Sequence, residues 1–572
     1  MLRTVRAPVG FPGWLATEVE PPTVLNTMTT SSPRKRLAAG AGLLVVTLVA
    51  YLPAFRGGFV FDDEDYIVNN WALRSLDGLR VLWLDHSATA QYYPLTCTTF
   101  WVEYHLWGLN PAGYHVVNVV LHGVNAVLFW MLLRRLQLPG AWFAAALFAL
   151  HPVHVESVAW VTERKNTLSG LFYLLAALAY LRFRPLAGAA PDRPGSRWGF
   201  YVAALAAYAA ALLSKTTTIA LPAAILLVIW WKCGRVKWRD IAGVAPFFVL
   251  AFVSALGTLT QESADLARAP HTVHAYTLLE RVLVAGRVPW FYLGKLVWPT
   301  DLAFIYARWA IDPRVWWQYL YPLASLALLL GLWLGRRRIG RGPLVAGLYF
   351  VGTLLPVLGF ADYGLMRYTF VADHFLYLPS LGVLALLAAV AAAASRQLGS
   401  SGGRAAPVLA GLTLLALGTG TARQNLIYAD VETLWRDTLA HDPQSPVAHY
   451  NLARHLIDTD RAAEAVAHLE AALRAQPGDV DTLNNLGVAY VKTGRIDDAL
   501  RTLEQALRLR PDDDFIHTNL GVLYARRGNI EAAIKHFTRA LELNPRREEA
   551  RANLNTLLAR SRRPPSSQPM TP

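Results

Sequence analysis

Four consecutive carboxylates, Asp62, Asp63, Glu64 and Asp65, stand between Phe61 and Tyr66, just past the first apolar stretch of the chain. A carboxyl group crowded by other acids holds its proton more tightly, which suits a general base acting on a hydroxyl. A second group follows in the run from His151 through His154 and Glu156 to Glu163, Arg164, Lys165 and Asn166. Ionisable groups this close to apolar runs are costly at membrane depth and mark polar cavities. His151, His154 and Glu156 can line such a cavity, while Arg164 and Lys165 can hold a phosphate, Arg through paired donors and Lys as a point charge. Lys215, after Ser214, and the stretch holding Arg367, Asp373 and His374 add two cations, an acid and a histidine. A base on one side and cations on the other suit attack by a hydroxyl while a phosphate departs. The spacing of His151, His154 and Glu156 fits no zinc motif, and no metal site is expected.

These residues need elements that bring them to one face. The chain is 54% hydrophobic and only 16% charged, against about 25% charged in soluble proteins, and it reads as an all-α, polytopic membrane protein. Apolar runs long enough to cross a bilayer fall near 37–55, 113–133, 140–157, 167–181, 198–214, 217–231, 241–259, 316–335, 343–361, 375–394 and 405–421, about 11 spans. The net charge of +14 comes from Lys and Arg clustered in alternate gaps between these runs. That is the positive-inside pattern, and it removes the need for a nucleic-acid partner. Residues 278–299, with Arg281, Arg287 and Lys295, are expected to lie at the interface or dip into a cavity. The resulting topology has a cytoplasmic N-terminus and an outward C-terminus, and all the candidate residues above face outward. Cys97 and Cys233 fall on opposite sides, so no disulfide joins them.

The expected divisions are a disordered tail at 1–36, with Met28 as the expected start, a membrane domain at 37–421, and within it a first outward loop at 59–112. A connecting helix follows at 422–445. Pro443, Pro477, Pro511 and Pro545 are spaced 34 residues apart, the period of tetratricopeptide repeats. Leu486, Gly487, Tyr490 and Ala499 in one repeat return as Leu520, Gly521, Tyr524 and Ala533 in the next. Repeats are expected over 446–560 as an α-solenoid, with a disordered tail at 561–572. Asn451, Asn485, Asn519 and Asn553 share one position on the inner helices, where a ladder of side-chain amides can hold the backbone of an extended peptide. Asn is also common beside Leu-Gly in such repeats, which leaves a purely structural role open.

The set Phe61-Asp62-Asp63, His151 to Trp160, Ser214-Lys215, Trp298-Pro299 and Ala372-Asp373-His374 with Tyr377-Leu378-Pro379, followed by repeats, resembles the transmembrane and tetratricopeptide-repeat O-mannosyltransferases. The resemblance implies a polytopic glycosyltransferase domain of the GT-C class, in a bacterial-type member with its repeats in the periplasm. It implies inverting transfer of a sugar, mannose by the family's name, from a polyprenyl-phosphate carrier to Ser or Thr hydroxyls of an exported polypeptide. The catalytic base maps onto Asp62 or Asp63, with Asp63 slightly preferred. His374 replaces the Arg usual after Ala-Asp, so the phosphate contact falls to His374 or to Arg367. Two other readings stand beside this one: a non-catalytic membrane scaffold, and a transferase acting on glycan or lipid.

Overall fold

The computed structural model describes residues 32–561 apart from 87, 90, 187–196, 269–275, 361 and 363. The expected tails at 1–31 and 562–572 lie outside the described residues. Every regular element among the described residues is helical. The chain divides into two compact units, residues 1–430 and 431–572.

In the first unit each expected apolar run falls on helix. Seven helices among the described residues are long and apolar enough to cross a membrane, eight if one bent pair is a single span. The runs at 37–55, 167–181 and 343–361 are helical too, as Pro33–Ala50, Arg164–Phe183 and Gly342–Leu354. The first two begin with charged residues, and the third is short. The first helix starts at Pro33, inside the stretch assigned to the tail, because the Ser32 hydroxyl accepts from the Lys35 amide and caps it. Trp316–Gly335 and Gly402–Tyr428 are only 6% buried. Leu326, Leu330, Leu412 and Leu415 are therefore exposed on faces that lipid must cover. Residues 278–297 form a helix opened by a capping box between Thr277 and Glu280. Arg281 on it pairs with both oxygens of Asp362, at 2.8 and 2.9 Å.

The run at 140–157 is not one straight span. Ala141–Leu150 and Pro152–Ala159 meet at a 56° bend, because Pro152 lacks the amide hydrogen that would continue the helix and disfavours helical backbone at His151. A break of this kind frees carbonyls at membrane depth, where each unpaired group is expensive. Three successive ones are taken by side chains. The Phe148 carbonyl accepts from His154 Nδ1 at 2.8 Å, that of Ala149 from His122 Nε2 at 3.2 Å, and that of Leu150 from Thr421 Oγ1 at 2.7 Å.

The second unit begins with Val431–His441 and continues as helix pairs to Glu548–Ser561. The expected connecting helix at 422–445 is thus divided. Residues 422–425 end the preceding helix, and Val431–His441 belongs with the repeats. Within each repeat a small residue lets the paired helices close. A Cβ on Gly487 would stand 2.5 Å from Leu503 Cγ, and one on Gly521 2.7 Å from Phe537. Overpacking costs about 1–3 kcal/mol, against about 1 kcal/mol gained by removing a helical glycine. Gly487→Ala is therefore expected to lower the melting temperature of the repeats in calorimetry; a rise would contradict the packing described.

Candidate active site

Phe61 has a left-handed backbone, φ 49°, which bulky residues adopt only when their surroundings hold them. Its ring lies against Trp160 and Phe304, at centroid distances of 5.8 and 5.6 Å. The sharp turn sends the next two carboxylates to different fates. Asp63 is fully buried. One of its oxygens accepts from the Val60 amide at 2.9 Å; the other accepts from the Thr162 amide at 2.7 Å and from the Thr162 hydroxyl. Burial pushes its carboxyl up to about 7, while these three bonds favour the ionised form. Asp62 is half-buried, and no side-chain hydrogen bond is formed to its carboxylate among the described residues. Burial raises it to about 6, and Lys165 beside it pulls the other way.

Opposite lies a group that the sequence presented as separate motifs. The Glu163 carboxylate bridges two buried lysines, Lys165 at 3.0 Å and Lys215 at 3.0 Å. It also accepts from the Asn166 amide at 2.6 Å. Burial alone would raise Glu163, but His374, Lys165 and Lys215 hold it below the usual carboxylate range. Lys165 reaches Gln91 Oε1 at 3.3 Å and stands over the rings of Tyr66 and Trp160. Glu163 answers one of the two ammonium charges, and the Asp62 carboxylate faces the other at Lys165. Glu156 accepts from the backbone amide and from Nδ1 of His374, at 2.8 and 2.9 Å. That contact fixes the His374 tautomer and leaves its other ring nitrogen unclaimed by Glu156. Asp373 accepts from the Tyr306 hydroxyl at 2.9 Å; burial and then the nearby Glu156 charge raise its carboxyl well above the ordinary value.

Four expected site residues are placed otherwise. Arg164, expected at a phosphate, is wholly buried and donates to Asn118, to Glu103, and to the Tyr114 carbonyl at 2.8 Å. The Asn118 amide in turn donates to the carbonyls of Val158, Trp160 and Val161. Arg164 thus holds the turn that carries Thr162 and Glu163, and its donors are spent there. His151 donates to the Leu296 carbonyl at 3.0 Å, and His154 joins the Phe148 carbonyl to the Ser380 hydroxyl. Both histidines brace the helix break rather than present a ring to a ligand. Arg367 donates to the Gly364 carbonyl at 3.1 Å and makes none of the contacts of the cluster. Conversely, Thr162 and Tyr306 join the site without a signal in the sequence, while Glu163 and Asn166, the acid and amide of the His151–Asn166 run, prove central to it. Glu163 is the acid directly beside Arg164 and Lys165 in sequence.

No group of three or more His, Cys, Asp or Glu side chains suited to a metal occurs among the described residues. In the repeats the ladder residues are all half-buried. The Asn451 amide donates to the Val447 carbonyl and that of Asn519 to Asn484 Oδ1, both at 2.8 Å.

Family models described as tetratricopeptide repeat match residues 444–512 and 484–548. Protein O-mannosyl-transferase Tmtc1 of Drosophila melanogaster is 28% identical over 560 residues, spanning 80% of this chain and 64% of the fly protein. Human protein O-mannosyl-transferase TMTC1 is 25% identical and spans 78% of this chain and 56% of its own. Mouse TMTC4 is 27% identical, spanning 74% and 64%. The chain's relatives are protein O-mannosyl-transferases. The resemblance read from the motifs is borne out, and the match to protein O-mannosyl-transferases extends well beyond the repeats into the membrane unit. The chain spans 56–64% of the length of these three relatives.

Proposed function

We propose that this protein is an inverting glycosyltransferase of the GT-C class that moves mannose from a polyprenyl-phosphate carrier to Ser or Thr hydroxyls of exported polypeptide. The observation that carries this reading is the Asp62 carboxylate, which takes no side-chain hydrogen bond among the described residues, standing beside Lys165 in a cluster that sets two ammonium groups against the Asp62 and Glu163 carboxylates. Asp62 takes the proton from the attacking hydroxyl, and the carbon–oxygen bond to the sugar forms as the bond to the carrier phosphate breaks. Lys165 and Lys215 receive the charge of the departing phosphate, and His374 is held beside them by Glu156. Asp63 holds the loop in place, so the base is assigned to Asp62 and not to the slightly preferred Asp63.

A lipid-borne donor is supported by the walls. Ile219 and Ala220, four and five residues after Lys215, begin an apolar hollow of about 450 Å³ that continues along Leu227, Phe252 and Leu348. A chain of hydrocarbon can lie there while its phosphate meets the lysines. A protein acceptor is supported by the repeats, in which Asn451, Asn485, Asn519 and Asn553 present amides for an extended backbone. The placement of Lys and Arg assigns the N-terminus to the cytoplasm and the repeats to the outward side; the periplasm of a bacterial inner membrane follows from the bacterial-type resemblance with His374 after Ala372-Asp373.

The test is transfer in detergent from polyprenyl-phosphate mannose to a Ser/Thr peptide, with anomeric configuration read by NMR. The expected product carries the opposite configuration to the donor. No transfer from this donor, combined with transfer from a nucleotide sugar, would overturn the proposal. Lys215→Met is expected to raise KM for the donor about tenfold, the loss of one charge-assisted contact of about 1.5 kcal/mol. KM for the peptide should stay unchanged, and an equal rise in both would place Lys215 elsewhere.

A further inference from the structure

The repeats hold two histidine pairs that the proposed transfer does not use. His449 and His468 face each other from the two helices of the first repeat, Nδ1 to Nδ1 at 2.9 Å. His517 and His536 do the same in the third repeat, also at 2.9 Å. Ring centroids are 5.1 and 5.2 Å apart and the interplanar angle is 38° in both. The second repeat has Leu483 and Thr502 at these positions. In each pair the first histidine's Nε2 donates to a backbone carbonyl, Pro443 at 3.1 Å and Pro511 at 3.0 Å.

We propose that each pair is a two-histidine site for a divalent transition-metal ion, Cu²⁺ or Ni²⁺, bound through the facing Nδ1 atoms. A carbonyl only accepts, so Nε2 of His449 and of His517 carries the proton and the Nδ1 lone pair is free for a metal. Metal-bound histidines almost always have their other nitrogen fixed in this way. His468 and His536 keep a proton on Nδ1 in the pair; metal displaces it, and the neutral ring carries it on Nε2 instead. With metal–nitrogen bonds of about 2.0–2.1 Å, nitrogens this close subtend an angle of about 90°. That is the cis angle of square-planar and octahedral ions, and too narrow for tetrahedral zinc. The remaining positions of each ion are left to water. Because each pair joins the two helices of one repeat, a bound ion cross-links them.

The experiment is titration of the untagged, full-length protein in detergent with Ni²⁺ and with Cu²⁺. Two ions per chain are expected, with nitrogen splitting from paired imidazoles in the Cu²⁺ electron paramagnetic resonance spectrum. Ni²⁺ should also raise the melting temperature of the repeats. His468→Gln is expected to leave one ion, and adding His536→Gln to leave none, while glutamine keeps a hydrogen-bonding side chain in place. Unchanged stoichiometry in the double variant would overturn the proposal, as would absence of binding to the parent chain. Should the variants misfold, the parent decides alone: Ni²⁺ must protect the four histidines from diethylpyrocarbonate, and equal modification with and without metal refutes the site.

Discussion

Asp62→Asn is expected to give a protein that inserts and folds normally and transfers sugar about 10²–10⁴-fold more slowly, the contribution typical of a general base. The asparagine fits the same space, and no side-chain hydrogen bond is lost with the carboxylate. The parent enzyme's rate should rise with pH through about 6, because burial raises the Asp62 carboxyl to that value and a base works only after losing its proton. The residual rate of the variant should lack that rise. Asp63→Asn is expected to behave differently. Its amide nitrogen must face either the Val60 amide or the pair of donors on Thr162, a conflict of about 1–3 kcal/mol. That variant should melt at lower temperature and lose activity along with its fold. Rates of both variants across a pH series, beside their unfolding curves, separate the roles. A folded, inactive Asp63→Asn with an active Asp62→Asn would exchange them.

Arg164→Met is expected to be the most destabilising single change, at about 3–5 kcal/mol. It leaves the Glu103 carboxylate buried without a counter-charge and takes donors from Asn118 and the Tyr114 carbonyl. Adding Glu103→Gln should restore part of the loss, since removing both partners of a buried pair is cheaper than removing one. Thermal unfolding in detergent measures this, and a double variant no more stable than the single would contradict the pairing. If the double variant folds, its KM for the donor should be close to that of the parent, because Arg164 supports the turn at 158–163 without reaching the ligand.

The outline of the fold was legible because its two signals are periodic. Apolar runs marked the helices, and the prolines at 34-residue spacing marked the repeats. The site was legible as a collection of motifs, since only a polar cavity accounts for Asp62, Glu156, Lys165, Lys215 and His374 beside membrane spans. What the sequence withheld was orientation. Asp62 and Asp63 are adjacent acids, and their roles separate only through the left-handed turn at Phe61 and the position of Thr162. Arg164 and Lys165 are adjacent cations on one helix, and successive helical side chains point about 100° apart. One therefore meets Glu103 and the other Glu163. His151 and His154 resembled ligands because Pro152 between them marks a helix break without showing which carbonyls these rings would satisfy.

Those occupied carbonyls bear on how the membrane survives such a cavity. A free helix end at this depth would draw in water, and a file of water conducts protons. Here Phe148, Ala149 and Leu150 are already stoppered by His154, His122 and Thr421. With these three acceptors occupied, the bend offers no bare carbonyl at 148–150 from which a file of water could start toward the charged cluster.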